Sequence, residues 1–164
     1  MIAELGHFAL VLALALAVVQ SSVPFWGAMR RDPRLIAVAP PAAITQFLLV
    51  GLAFAALVHA HVASDFSLVN VVENSHSAKP LLYKFTGVWG NHEGSMLLWV
   101  LILALFGALV AAFGWNLPDR LKALVLSVQA WIAAAFLLFV LVTSNPFLRL
   151  DPAPAEGNDL NPVL

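Results

Sequence analysis

Four apolar stretches dominate the chain, at about 5–28, 40–62, 94–115 and 121–143, and none carries an acidic or basic side chain in its central portion. A helix needs about 20 apolar residues to cross about 30 Å of hydrocarbon, and each stretch has that length. Lipid offers no partner to unpaired backbone groups, so each stretch is expected to be helical. The pattern therefore predicts an all-α, polytopic membrane protein with four transmembrane helices, an outer loop at 63–93 and an extended outer C-terminal tail at 144–164. Pro24 is expected to bend the first helix, and Trp26 suits an interface. Pro40 and Pro41 fit the opening turn of the second, where a missing N–H costs little. Residues 63–93 mix strand-forming residues with a polar break at Glu73 to Ser77, which fits either a short hairpin or an interfacial helix. The tail is rich in proline and shows no periodicity.

Composition strengthens this picture. The chain is 62% hydrophobic and only 10% charged, whereas a water-soluble domain carries roughly 25% charged residues. Its mean hydropathy is +0.91. Lipid must cover most of the surface. A net charge of -1 gives no basic field for nucleic acid. With no cysteine, disulfides, thiolate metal sites and thioether attachment of haem to this chain are excluded. The first apolar stretch lacks the preceding positive charge of a signal peptide and reads as an uncleaved span.

Charge also orients the helices. Arg30, Arg31 and Arg34 lie between the first two spans, and Arg120 and Lys122 between the last two. Lys79, Lys84 and Arg149 are spread over much longer stretches on the other side. Short basic loops stay in the cytoplasm, so both termini are expected outside.

Candidate chemistry gathers at that outer side. His7, His59, His61, His76 and His92 all fall near it. Histidine is a common haem and metal ligand; an interfacial histidine is also simply an amphipathic residue at a comfortable depth. His59 and His61, two apart, point to nearly opposite sides of a helix and cannot clasp one ion. The densest cluster is Trp89-Gly90-Asn91-His92-Glu93-Gly94-Ser95, followed by Trp99. Its glycines permit close approach, Glu93 suits a helix N-terminus, and Trp89 and Trp99 offer flat faces to a planar cofactor. Read as structure alone, the same cluster is a well-made helix start with an aromatic belt. Gln46 and Gln129, at membrane depth, are expected to hydrogen-bond between helices. No acid lies mid-membrane, and no phosphate loop, Ser-His-Asp series or HExxH spacing occurs, so a self-contained enzyme is not expected.

Taken together, WGNHEGSMLLWV, LALALAVVQSSVPFWGAMRRDPR, VASDFSLVNVVENSHSAKPLLYKFTGVWG and FLLFVLVTSNPFLRLDPAPAEGNDLNPVL resemble, in order and spacing, the CcmF/NrfE family of cytochrome c-type biogenesis proteins. These are haem lyase subunits with a tryptophan-rich periplasmic domain. Family members are several times longer, so the chain resembles their N-terminal portion, as a fragment or one product of a split gene. The resemblance implies a multi-pass protein of the bacterial inner membrane. The complete protein would take haem from the periplasmic chaperone CcmE and support its attachment to apocytochrome c, alongside CcmH, CcmI and the remaining portion of the lyase. It implies a haem b whose ligands lie outside this chain. Trp89, Gly90, His92, Glu93, Gly94, Ser95 and Trp99 become candidates for facing haem or a partner. Asp159, Leu160, Asn161 and Pro162 become the lead-in to the haem-binding periplasmic part. Two other readings stay open: a b-type electron-transfer subunit, which requires facing histidines inside the spans, and a cofactor-free assembly subunit.

Overall fold

The computed structural model describes residues 1–159. Its helices are α1 (Ile2–Arg30), α2 (Pro33–Ile36), α3 (Ala39–Val62), α4 (Val69–Asn74), α5 (Leu81–Gly87), α6 (His92–Phe113) and α7 (Asp119–Thr143). No strand forms among the described residues; a single bridge joins Leu68 and Arg149. The all-α expectation holds, with four segments long and apolar enough to cross a membrane: α1, α2 with α3, α6 and α7.

Local chemistry explains the ends. Arg31 closes α1 in the left-handed region (φ 59°, ψ 34°). Asp32 then caps α2, its Oδ1 accepting from the Arg34 N–H at 2.9 Å, with Pro33 in the first turn. Pro24 lies inside α1 without ending it.

In the bundle α1 lies along α3 and α7, and α6 lies along the same two, so α1 and α6 occupy opposite corners. Residue size sorts the faces. Ala3, Gly6, Ala9, Ala13 and Ala17 of α1 are buried, as are Ala53, Ala56 and Ala60 of α3 and Ala130 and Ala133 of α7. Phe8, Leu48, Phe106, Trp131 and Val142 point outward. Lipid is as apolar as leucine, so helices associate by close packing, which small residues allow.

The polar residues at membrane depth behave differently from one another. Gln129 donates to the Leu103 carbonyl of α6. Gln20 donates to the Leu126 carbonyl of α7 at 3.1 Å. Gln46, contrary to expectation, is buried without a partner; it borders a void of about 10 Å³ shared with Gln20, Gln129 and Gly107 rather than a neighbouring carbonyl.

At the histidine end, residues 63–91 form the short helices α4 and α5, with no hairpin of their own. The tail folds back onto them. Val69 N–H donates to the Leu148 carbonyl and Leu150 N–H to the Ser67 carbonyl, both at 2.9 Å, and Asn158 N–H donates to the Val72 carbonyl at 2.7 Å. Phe147, 6% exposed, wedges between α1 and α3 against Gly6 and Ala56. Arg149 bridges the Glu4 carboxylate and the Ser67 hydroxyl. Loop and tail together make one cap over this end of the bundle.

Candidate functional site

The Trp89–Ser95 segment is the hinge between cap and bundle, and Asn91 organises it. Its Oδ1 accepts from the Gly94 N–H at 2.8 Å, capping α6. Its Nδ2 donates to the carbonyls of Gly87 at 2.9 Å and Val88 at 3.2 Å. From α4, the buried Asn70 donates to Asn91 Oδ1 at 2.8 Å and to Glu93 Oε2 at 3.1 Å. Glu93 is thus held at the helix start, where a negative charge is favoured, and tied to the cap.

Gly94 is a steric requirement: a Cβ there would run into the Val88 carbonyl. Gly90 is exposed and has nothing closer than 3.6 Å to such an atom. Ser95 Oγ donates to the His92 carbonyl at 2.9 Å. These contacts account for Gly94, Glu93 and Ser95 as parts of a helix start. Asn70 carries no signal in the sequence; Asn91, an amide three residues before a glycine at the head of an apolar run, does.

His92 and Trp99 are different. Seven residues apart, they share one face of α6 about 10 Å apart along the axis, and that face turns away from the bundle core. His92 Nε2 lies 3.0 Å from Ser144 Oγ at the end of α7, and its ring meets Phe139 edge-on at 6.3 Å. Below it, Met96, Phe136 and Phe139 line a recess of about 330 Å³. A second of about 370 Å³ follows between Trp99, Phe106, Ile132 and Phe136. The two share Phe136, making an apolar groove along α6 and α7 with an imidazole at its head. Trp99 is 65% exposed. Trp89 does not join it: half-buried, it packs inward, edge-on to Phe85 at 5.2 Å. The two indoles therefore form no common face.

Asp159 N–H donates to the Ser75 carbonyl at 3.4 Å, and its carboxylate pairs with Lys79. Nearby, Glu156 accepts from the Ser77 hydroxyl at 2.5 Å and the Ser77 N–H at 2.9 Å, and these bonds hold its carboxyl below the usual range. Leu160, Asn161 and Pro162 lie outside the described residues.

A b-type electron-transfer haem held between helices would need facing axial histidines inside the spans. The histidines share one end of the bundle and have different neighbours. His59 is exposed. His61 is buried, its Nδ1–H donating to the Leu57 carbonyl at 3.2 Å. His7 meets Asn145 at 3.4 Å, and His76 lies 3.9 Å from Glu156. No group of three His, Cys, Asp or Glu suited to a metal ion occurs among the described residues. His7, His61, His76 and His92 are thus each met by a partner within the protein.

Comparison with known proteins decides the family. Residues 89–164 match the cytochrome c assembly protein family. The whole chain is 70% identical to the cytochrome c-type biogenesis protein CycK of Bradyrhizobium diazoefficiens, over 25% of that protein. It is 52% identical to CcmF of Pseudomonas aeruginosa and 42% to CcmF of Escherichia coli, over 25% and 26% of their lengths. The chain belongs to the CcmF family of cytochrome c-type biogenesis proteins. A solved structure of the cytochrome c haem lyase CcmF superposes with a TM-score of 0.84 at 30% identity, covering 90% of this chain and 25% of that one. The chain thus spans about a quarter of the length of its relatives, their N-terminal part. The matched family region begins at Trp89, at the hinge itself.

Proposed function

We propose that this chain forms the N-terminal scaffold of a haem lyase for cytochrome c maturation in the bacterial inner membrane, with its histidine end and both termini periplasmic. The identity to CycK and CcmF proteins across the full chain carries the reading. The arginines gathered at the opposite end support the orientation.

In the complete protein, haem is the substrate. It passes from CcmE to reduced apocytochrome c, where each cysteine thiol of a CxxCH site adds across a haem vinyl group. The sulfur bonds to one vinyl carbon and the proton goes to the other, so no oxidant is consumed. The thiols come from the apocytochrome, in keeping with a cysteine-free chain. CcmH and CcmI are the further partners. Resident haem b is held by residues outside this chain. Here the cap, locked to the bundle through Asn70, Asn91 and Glu93, fixes the height of the periplasmic surface, and His92 with the groove below it faces haem or the rest of the lyase.

Two measurements test this. In a full-length relative, His92→Ala lowers cytochrome c yield at unchanged protein level; undiminished yield would remove His92 from the site. Ser77→Cys, the sole thiol, reacts with a membrane-impermeant maleimide added to intact spheroplasts; labelling only after lysis would sink the orientation.

A further inference from the structure

At the arginine end, the turn carrying α2 into α3 and the first turn of α7 leave a cleft of about 370 Å³. One wall is apolar, built by Pro33, Ile36, Pro40 and Pro41; Lys122 and Asp119 stand on the other. The Lys122 side chain is 14% exposed, and its nearest acid, Asp119, lies 3.9 Å away and is 85% exposed. Water weakens so exposed a pair and leaves ammonium protons free to donate. Around the cleft, Arg30, Arg31, Arg34 and Arg120 are exposed. Arg30 stacks on Trp26 at 4.4 Å, and the other acid here, Asp32, has an Oδ1 engaged by the Arg34 N–H. Helices α1, α3 and α7 all begin or end at this level, so it meets a membrane surface whichever way the chain inserts.

We propose that this cleft binds one anionic phospholipid, its phosphate on Lys122 and an acyl chain along the proline and isoleucine wall. Basic pockets between helices at a membrane surface attract anionic headgroups. The apolar wall selects a lipid over free phosphate, which gains nothing from it. Lys122, sunk in the cleft and poorly matched by Asp119, gives a fixed point that the exposed arginines do not. The bound lipid adds to the contact between the α2–α3 turn and α7, where Ile36 packs against the buried cluster of Ala39, Ala43, Ala123 and Leu126.

The test is native mass spectrometry of the chain released from phosphatidylcholine nanodiscs containing a minority of phosphatidylglycerol. Wild type retains one phosphatidylglycerol in preference to phosphatidylcholine. Lys122→Ala lowers that preference about fivefold, the share of one basic residue at an anionic surface, and Lys122→Arg keeps it. Ile36→Trp fills the cleft, leaves every charge in place and also lowers the preference, so the test stands even if Lys122→Ala does not fold. Arg30→Ala, a charge lost outside the cleft, changes it less than Lys122→Ala. Equal losses in Arg30→Ala and Lys122→Ala, an unchanged preference in Ile36→Trp, or inorganic phosphate retained as well as phosphatidylglycerol would each overturn the site.

Discussion

Replacing Asn91 with alanine tests whether one side chain locks the cap to the bundle. The substitution removes the cap on Gly94 N–H, worth about 1 kcal/mol. It also removes the bond from the buried Asn70 and the two local bonds to Gly87 and Val88. Those two share one amide group and count roughly once. At about 0.5–1.5 kcal/mol for each net hydrogen bond, the total loss is about 2–4 kcal/mol. Asn70 keeps Glu93 as a partner, which limits the cost of orphaning it. Asn91→Ser retains a capping oxygen but loses the reach to Asn70, so it should fall about midway.

Reversible unfolding in mixed detergent micelles gives the free energies. Amide hydrogen exchange locates the effect, with faster exchange expected in α4 and in the first turn of α6 and little change in the centre of α7. A double-mutant cycle with Asn70→Ala isolates the direct bond at about 1 kcal/mol. If Asn91→Ala lies within 0.5 kcal/mol of wild type, or if its extra exchange spreads evenly along all four long helices, the cap is not held by this residue.

Two further outcomes concern the tail. Phe147→Ala should cost about 3–5 kcal/mol if the ring anchors the tail as buried aromatic residues do, and Gly6→Ala, whose Cβ would lie 2.5 Å from Phe147 Cζ, about 1–3 kcal/mol by overpacking; both should expose residues 148–159 to limited proteolysis. Glu156 has its carboxyl lowered in the folded chain, chiefly by the Ser77 hydroxyl, so its share of tail docking is present above the ordinary carboxylate pKa and is lost as pH falls through the lowered value. The protection factor of the Ser77 amide, its exchange relative to the intrinsic rate at each pH, should fall on acidification in wild type, and Glu156→Gln should flatten that dependence.

The helices were legible because lipid makes length and hydropathy decisive: once a stretch can span the membrane, its backbone has no alternative to helix. Their arrangement was not legible, because neighbouring faces differ in size rather than polarity. The stripe of Ala3, Gly6, Ala9, Ala13 and Ala17 is visible only when small residues are distinguished from large ones at helical spacing. The cap was open for a different reason. Leu68 pairs with Arg149 and Val72 with Asn158, contacts across some eighty residues that no local pattern encodes. Read locally, the loop offers helix or hairpin equally and the tail offers neither. The tail's return, not the loop's own propensity, completes the edge at Ser67 and Val69.

The same distinction divides the candidate site. His92 and Glu93 are adjacent, yet a helix places neighbours about 100° apart, and that rotation separates their roles. Glu93 turns toward α4 and is consumed by the Asn70 contact; together with Gly94 and Asn91 it is explained by the need to start a helix beneath a folded cap. His92 turns toward α7, where Ser144 gives its imidazole one partner, and it shares its outward face with Trp99. Nothing in helix initiation requires an imidazole there, nor an indole 65% exposed two turns further on. Function is therefore better sought in that pair than in the polar triplet as a whole. Residues that start the helix and residues that face outward crowd into the same seven positions, and the direction each side chain takes from the helix separates them.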